Sequence, residues 1–253
     1  MSDPAPVREV AIVGMAPAGR ETIGELPEHC EIWSLNLGPI AFLGDRWHRH
    51  FEVHDPDWLK LRPNLKRQGY LDWLATDHGK PVYVPRLDDR IAGAVQYPLR
   101  EVVDRFGRYL PDGRPLIYWQ STVDWMLCLA LHEFCREAEQ EKRRPEGVLH
   151  IVGVDMAMDE EYAHQRPSCE HWLGVALGLG IGISVPQQSD IMKQRVVYGL
   201  DTYEPIAKKM AQRKRELQAQ LNEASQTEAQ ARDRKMALRG ALDDLTWHEQ
   251  ARY

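Results

Sequence analysis

The chain has 253 residues, a mass of 29.2 kDa and a formal net charge of −6. That length holds one sizeable core plus an appendage. The acidic balance excludes a general nucleic-acid-coating role, which needs many Lys and Arg side chains on phosphates. No run of about 18 apolar residues exists, so no membrane span is expected. Met1 to Val7 lack a basic start and an apolar stretch, so no secretory signal is expected. Cys30, Cys128, Cys135 and Cys169 form no C-x-x-C pair. Reduced, buried thiols are expected, as in a cytoplasmic protein.

Val10-Ala11-Ile12-Val13 reads as a buried strand ending at Gly14. Glu31 to Leu35 reads as a second strand, and His50-Phe51-Glu52-Val53 alternates as a half-buried one. Asp57 to Ala75 has a helical pattern interrupted at Pro63 and Gly69. Pro81 to Pro85 and Pro115 to Tyr118 are two further short strands. Ser121-Thr122-Val123-Asp124 then begins a helix with a capping box. Val123, Met126, Leu127, Ala130, Leu131 and Phe134 give it one apolar face, and Pro145 and Gly147 end it. Val148 to Asp155 is a strand with a carboxylate at its end. Pro167-Ser168 is expected to open a helix through Leu179, before a last strand from Ile181 to Val185. Strands alternating with helices predict an α/β, Rossmann-like fold, with a mostly parallel sheet and helices on both faces.

Composition changes near residue 200. Residues 1–200 carry 22 basic and 29 acidic residues, whereas 201–253 carry 10 and 9. Residues 206–239 have no Gly, Pro or aromatic residue. The expected division is a nucleotide-binding domain over 1–200 and a C-terminal helical tail or hairpin over 201–253. Leu217, Ala224, Ala231, Leu238 and Leu245 repeat every seven residues, with Leu221 and Leu242 between. Such a tail packs on its own body or self-associates; a hairpin would turn near Asn222 to Thr227.

Five segments could carry chemistry. Gly14-Met15-Ala16-Pro17-Ala18-Gly19 follows the first strand, where small residues let backbone N–H groups approach a phosphate. Asn36 ends the second strand, and ligands of open α/β sheets lie outside such ends. His50, Glu52 and His54 share one side of a strand by period two, suiting a metal or a general base, or simply solvent. Ser121 and Thr122 open a helix and can cap it, bind phosphate, or both. Asp155 precedes a polar stretch read as a loop, with Tyr162, His164 as a base and Arg166 as an anion clamp.

The order of these segments resembles the Rossmann-like superfamily that includes a family of bacterial sialyltransferases and the hydroxymethylpterin diphosphokinase-like proteins, as well as bacteriophage proteins of the same pattern. The resemblance covers mainly residues 8–36 and 115–172. It implies that Gly14, Ala16, Pro17, Gly19, Asn36, Ser121 and Thr122 bind a nucleotide, and that Tyr162 and His164 lie in the region of the phosphate-engaging tyrosines and the base. Ala16, Ala18 and Val123 depart from the Gly, Ser and small residue usual there.

The expected activity is transfer of a glycosyl or phosphoryl group from a nucleotide-sugar or nucleoside triphosphate, with a divalent metal as a candidate companion of the donor. His164 or His54 would take the acceptor's proton, since an imidazole titrates near neutrality. Arg166 would offset charge on the departing phosphate and Asp155 would complete the site. The alternatives are a non-catalytic nucleotide-binding or sequestering module, and an assembly protein whose pocket is vestigial.

Overall fold

A computed structural model describes residues 7–17, 19–55, 57, 59, 61, 69–156, 160–192 and 204–250. The chain divides into two compact units, 1–193 and 194–253. In the first, β1 (Glu9–Val13) leads through a 3-10 turn (Arg20–Glu25) to β2 (Glu31–Leu35), and a π-helical turn (Pro39–Leu43) leads to β3 (Arg49–Phe51). Then come α1 (Tyr70–Leu74), β4 (Val82–Val84), β5 (Ala94–Gln96) and α2 (Leu99–Phe106). Two ribbon strands, β6 (Arg108–Tyr109) and β7 (Pro115–Leu116), precede α3 (Thr122–Glu141). The unit continues with β8 (Val148–Val152), α4 (Glu160–Leu179) and β9 (Gly182–Ser184).

Seven strands form one sheet in the order β5-β4-β3-β2-β1-β8-β9. Every pairing in it is parallel. This is the Rossmann-like α/β architecture. The chain walks outward from β1 to β5 and returns to the other side of β1 at β8. The strand order therefore reverses between β1 and β8, and their C-terminal ends open a crevice.

β1 is buried on both faces, which is why its sequence is a continuous apolar run. Val10 and Ile12 pack with Val102 of α2, Met126 and Leu127 of α3, and Trp172 and Leu173 of α4. Ala11 and Val13 pack on the opposite face with Ile23 of the 3-10 turn, Leu43 of the π-helical turn and Trp47. Long helices thus cover one face and short helical turns the other.

The start of α3 is fixed by a capping box. Asp124 Oδ2 accepts from the Ser121 and Gln120 amides at 2.8 and 2.7 Å, and Ser121 Oγ accepts from the Asp124 amide at 3.4 Å. Ser168 of α4 donates to the same carboxylate at 2.8 Å, tying the two helices together.

Some expectations are corrected. Pro115 and Leu116 pair with β6 in an antiparallel ribbon apart from the main sheet. β5 and α2 add a strand and a helix between the expected ones. Pro167 does not open a helix but sits inside α4. An internal proline costs about 3 kcal/mol. Burial of Cys169, Trp172, Leu173 and Ala176 on the turns that follow offsets it.

Among its described residues the second unit holds one helix, α5 (Glu204–Gln250), of 47 residues. It runs unbroken through Asn222 to Thr227, so the hairpin alternative is excluded. Among the described residues no helix is long and apolar enough to cross a membrane.

Candidate functional site

A cavity of about 500 Å³ lies at the C-terminal edge of the sheet, where the strand order reverses. Gly14 and Ala16 after β1, Asn36 after β2, His54 beyond β3, Ser121 and Thr122 at the start of α3, and Asp155 after β8 all line it. Seven residues singled out from the sequence thus share one cavity, with Asn36 and Ser121 on the same sheet edge.

The floor depends on two glycines. A Cβ at Gly14 would lie 2.4 Å from the Gly153 carbonyl oxygen, and one at Gly153 would lie 2.8 Å from that of Gly14. Gly153 also holds a left-handed φ of 63°. The Gly14 amide donates to Val152 O at 2.8 Å and the Ala16 amide to Gly153 O at 2.7 Å. These two N–H groups close the β1–β8 crevice and are not donors for a phosphate, contrary to expectation. The following 3-10 turn has Gly19 at its cap, with φ 81°. Neither Gly19 nor Pro17 lines the cavity.

The start of α3 forms one end of the cavity. Its 20 residues align their peptide dipoles, and its first turn leaves amides without intrahelical partners. Thr122 and Val123 present that turn to the cavity. Ser121 is occupied as the cap, its hydroxyl also lying 3.1 Å from Asp124 Oδ2. Burial pushes the Asp124 carboxyl up, against the hydrogen bonds from Gln120, Ser168 and Ser121 that pull it down.

Trp119 and Trp125 form one wall, with ring centroids 4.4 Å apart. Trp119 Nε1 lies 2.9 Å from Cys128 Sγ, and Tyr97 packs edge-on against Trp125 at 4.8 Å. Neither tryptophan was singled out from the sequence. Their positions flanking the capping box carry the available signal, since the residues around a helix start at a sheet edge face the crevice. Asn36 has a left-handed backbone, φ 49°, which Asn tolerates better than most residues.

The third wall carries His54, held by Glu52. Glu52 is buried, and its Oε1 accepts from the His54 amide at 2.8 Å and lies 2.7 Å from His54 Nδ1. Its other oxygen, Oε2, accepts from Tyr70 OH at 2.6 Å. Tyr70 OH is 2.9 Å from His50 Nε2, and His50 Nδ1 is 2.9 Å from Ser34 Oγ. Since the tyrosine donates to the carboxylate, it accepts from His50 Nε2–H, which leaves Nδ1 to accept from Ser34. Burial, with His78 nearby, pushes His50 down to about 3 and keeps it neutral in this chain. Burial and the Glu52 charge push the Tyr70 phenol well above its ordinary range. A buried relay therefore runs from Ser34 to His54 at the cavity. It corrects the picture of His50 and Glu52 on a solvent or metal-binding strand face: both nitrogens of His50 are engaged by the protein.

His54 also lines a smaller adjoining cavity of about 330 Å³, with Asp55, Arg86 and Asp88. His164 and Arg166 lie elsewhere. His164 is exposed on α4 and not on a loop, because the helix begins before Pro167. Arg166 bonds Glu170 Oε1 at 2.9 Å and Asp190 O at 2.8 Å. Neither lines the larger cavity, where α4 contributes Gln165. The side chain of Tyr162 lies outside the described residues.

Among the described residues one group combines metal-ligand types, Glu9, Cys30 and His150, with ligand atoms within 4.8 Å of one another. It lies away from the cavity. Glu9 already pairs with His150 at 2.6 Å and His29 at 3.3 Å. Burial and then the nearby Glu9 and Glu31 push the Cys30 thiol up to about 12, which disfavours the thiolate a metal needs.

The sequence matches no protein family and no curated protein. Among solved structures, the chain is similar to the sialyltransferase CstII from Campylobacter jejuni in complex with a substrate analogue, cytidine-5'-monophosphate. Identity is 10%, 79% of this chain and 99% of that chain are covered, and the TM-score is 0.38. A second CstII structure, in complex with CMP-3FNeuAc, matches at 11% identity over the same shares, with a TM-score of 0.36.

Proposed function

We propose that the chain is a nucleotide-dependent transferase with His54 as its general base. One observation carries this reading: an imidazole held by a buried carboxylate shares a crevice with the N-terminus of a long helix. The nucleotide's base stacks on Trp119 and Trp125, and its phosphate meets the first turn of α3. Asn36 lies within reach of a ribose or base edge. No Lys or Arg lines the larger cavity among the described residues. A triphosphate would bring more charge than one helix end balances, so a donor with a single phosphate, such as a nucleoside monophosphate sugar, suits the site better.

The acceptor enters through the smaller cavity on the other side of His54. Glu52 holds the proton of His54 on Nδ1, and Nε2 is the nitrogen assigned as the base. Nε2 takes the acceptor's hydroxyl proton, and the hydroxyl oxygen bonds the sugar's anomeric carbon. The bond from that carbon to the phosphate breaks, its electron pair leaving with the nucleotide. The α3 amides offset the charge that develops there.

A second reading, a nucleotide-binding module without turnover, is favoured by the same lack of a cation and by the engaged amides of Gly14 and Ala16. The two separate in an assay of donor hydrolysis and transfer over a panel of nucleotide sugars, with calorimetry beside it. In a transferase, His54→Asn and Glu52→Gln each lower turnover by ~10²–10⁴-fold while nucleotide affinity changes little. Binding without turnover in the unsubstituted protein establishes the module, and equal turnover in all three proteins removes His54 as the base.

A further inference from the structure

Helix α5 carries two interleaved series on one stripe. Met210, Leu217, Ala224, Ala231, Leu238 and Leu245 recur every seven residues. Four residues after each come Lys214, Leu221, Glu228, Lys235, Leu242 and Glu249. Alternating steps of four and three keep both series on one seam of a helix. Within the second unit, two shallow grooves lie along this seam. Met210, Leu217 and Leu221 line one, and Ala231, Leu238 and Leu242 line the other. Leu221, Leu238, Leu242 and Leu245 are 60, 59, 64 and 61% exposed, so the lone helix leaves its most apolar side in water.

The seam is symmetric under reversal. About a centre between Ala229 and Gln230, Leu217 mirrors Leu242, Leu221 mirrors Leu238, Ala224 mirrors Lys235, and Glu228 mirrors Ala231. Each mirror pair takes one member from each series, which is the composition of a layer between two antiparallel helices. We propose that two copies of this chain pair through α5, antiparallel, about a two-fold axis at that centre.

Size supports the pairing. The layers of Leu217 with Leu242 and Leu221 with Leu238 set leucine against leucine, and beyond them Lys214 faces Leu245 and Met210 faces Glu249. The inner layers set alanine against Lys235 or Glu228, whose methylenes cover the small residue while the charged heads reach water. Glu228 already pairs with Arg232 of its own helix at 3.3 Å. Charge decides the orientation. A parallel, in-register pair would place Lys214, Glu228, Lys235 and Glu249 each against its own copy, four like-charge layers in one seam. The antiparallel pair has no like charges within a layer; its two Glu228 lie in adjoining layers ~4.5 Å apart along the axis, with the partner's Lys235 ~6 Å from Glu228 on the other side. The interface uses the same patch on both chains, so it closes at two.

The test uses the full chain, whose four native thiols are all buried. Leu217→Cys and Leu242→Cys are made separately, then co-expressed with tags of different size and oxidised mildly. The expected product is a disulfide between the two variants. Each variant alone should cross-link at least about tenfold less, since its own copies stand ~37 Å apart along an antiparallel pair. Disulfides formed by each variant with itself would overturn the antiparallel register. Light scattering of the unsubstituted chain should give twice the chain mass, and Leu221→Glu with Leu238→Glu should return it to one. A monomer at about 100 µM in the unsubstituted protein would overturn the pairing altogether.

Discussion

The relay behind His54 makes stability depend on pH, and His50 is the residue that sets the size of the effect. An unfolded histidine titrates near 6.5. In the folded chain burial holds His50 down at about 3. The native state therefore binds fewer protons than the unfolded state once pH drops below the unfolded value. Stability is fully present above about 6.5 and is lost as pH falls toward 3, at about 1.4 kcal/mol per unit. Between pH 7.5 and pH 5 the loss from this one group is about 2 kcal/mol. Protonation would also force Ser34 to turn its hydroxyl hydrogen from His50 Nδ1 toward Arg49 O, 3.3 Å away. Urea unfolding followed by tryptophan fluorescence reads the body of the protein, since seven of the eight tryptophans precede residue 200. His50→Gln should be less stable at pH 7.5 yet lose about 2 kcal/mol less than the unsubstituted chain on going to pH 5. Groups titrating elsewhere contribute to both proteins and cancel in the difference. Equal losses in both would refute the neutral, buried His50 and the direction of the relay.

Gly14→Ala should destabilise the fold by ~1–3 kcal/mol in thermal or urea unfolding, because its Cβ meets backbone that cannot move aside. An unchanged midpoint would mean that the β1–β8 crevice opens easily. Asn36→Gly should leave stability equal or raise it by up to ~1 kcal/mol, since glycine holds a left-handed backbone without strain. The same substitution should weaken nucleotide binding by ~1–3 kcal/mol in calorimetry if the Asn36 amide contacts the ligand. Trp119→Ala should likewise cost a stacked base ~1–3 kcal/mol of binding, and unchanged affinity would take the base off that wall.

What was legible in the sequence was local. β1 announces itself because a strand buried on both faces needs an unbroken apolar run, and Val10 to Val13 supply it. The start of α3 is legible because a capping box closes within four residues. Leu99, Val102, Val103 and Phe106 carry a clean helical spacing too, so the signal for α2 is present, though the helix is only eight residues long. The Pro167 reading failed where a tertiary gain outweighed a local penalty. The proline marks a helix start by propensity alone, yet four buried residues beyond it hold the helix through it, and His164 moves from a loop to an exposed turn.

The Glu52–His54 pair shows the same boundary most sharply. The spacing of His50, Glu52 and His54 reads as one face of a strand, and three polar residues on one face ordinarily mean solvent. β3 ends at Phe51, so the alternation no longer governs Glu52 and His54. Tyr70, eighteen residues further on, supplies the buried hydroxyl that satisfies both Glu52 and His50. Without that partner, burying the Glu52 carboxylate would cost several kcal/mol, roughly, and the segment would turn its charge outward. With it, one carboxylate oxygen is anchored in the core and the other is left to grip His54 Nδ1. The pairing of a histidine with a glutamate two residues before it is therefore readable in the sequence, whereas its direction, inward for Glu52 and cavity-facing for His54, is set by a residue that only the fold brings near.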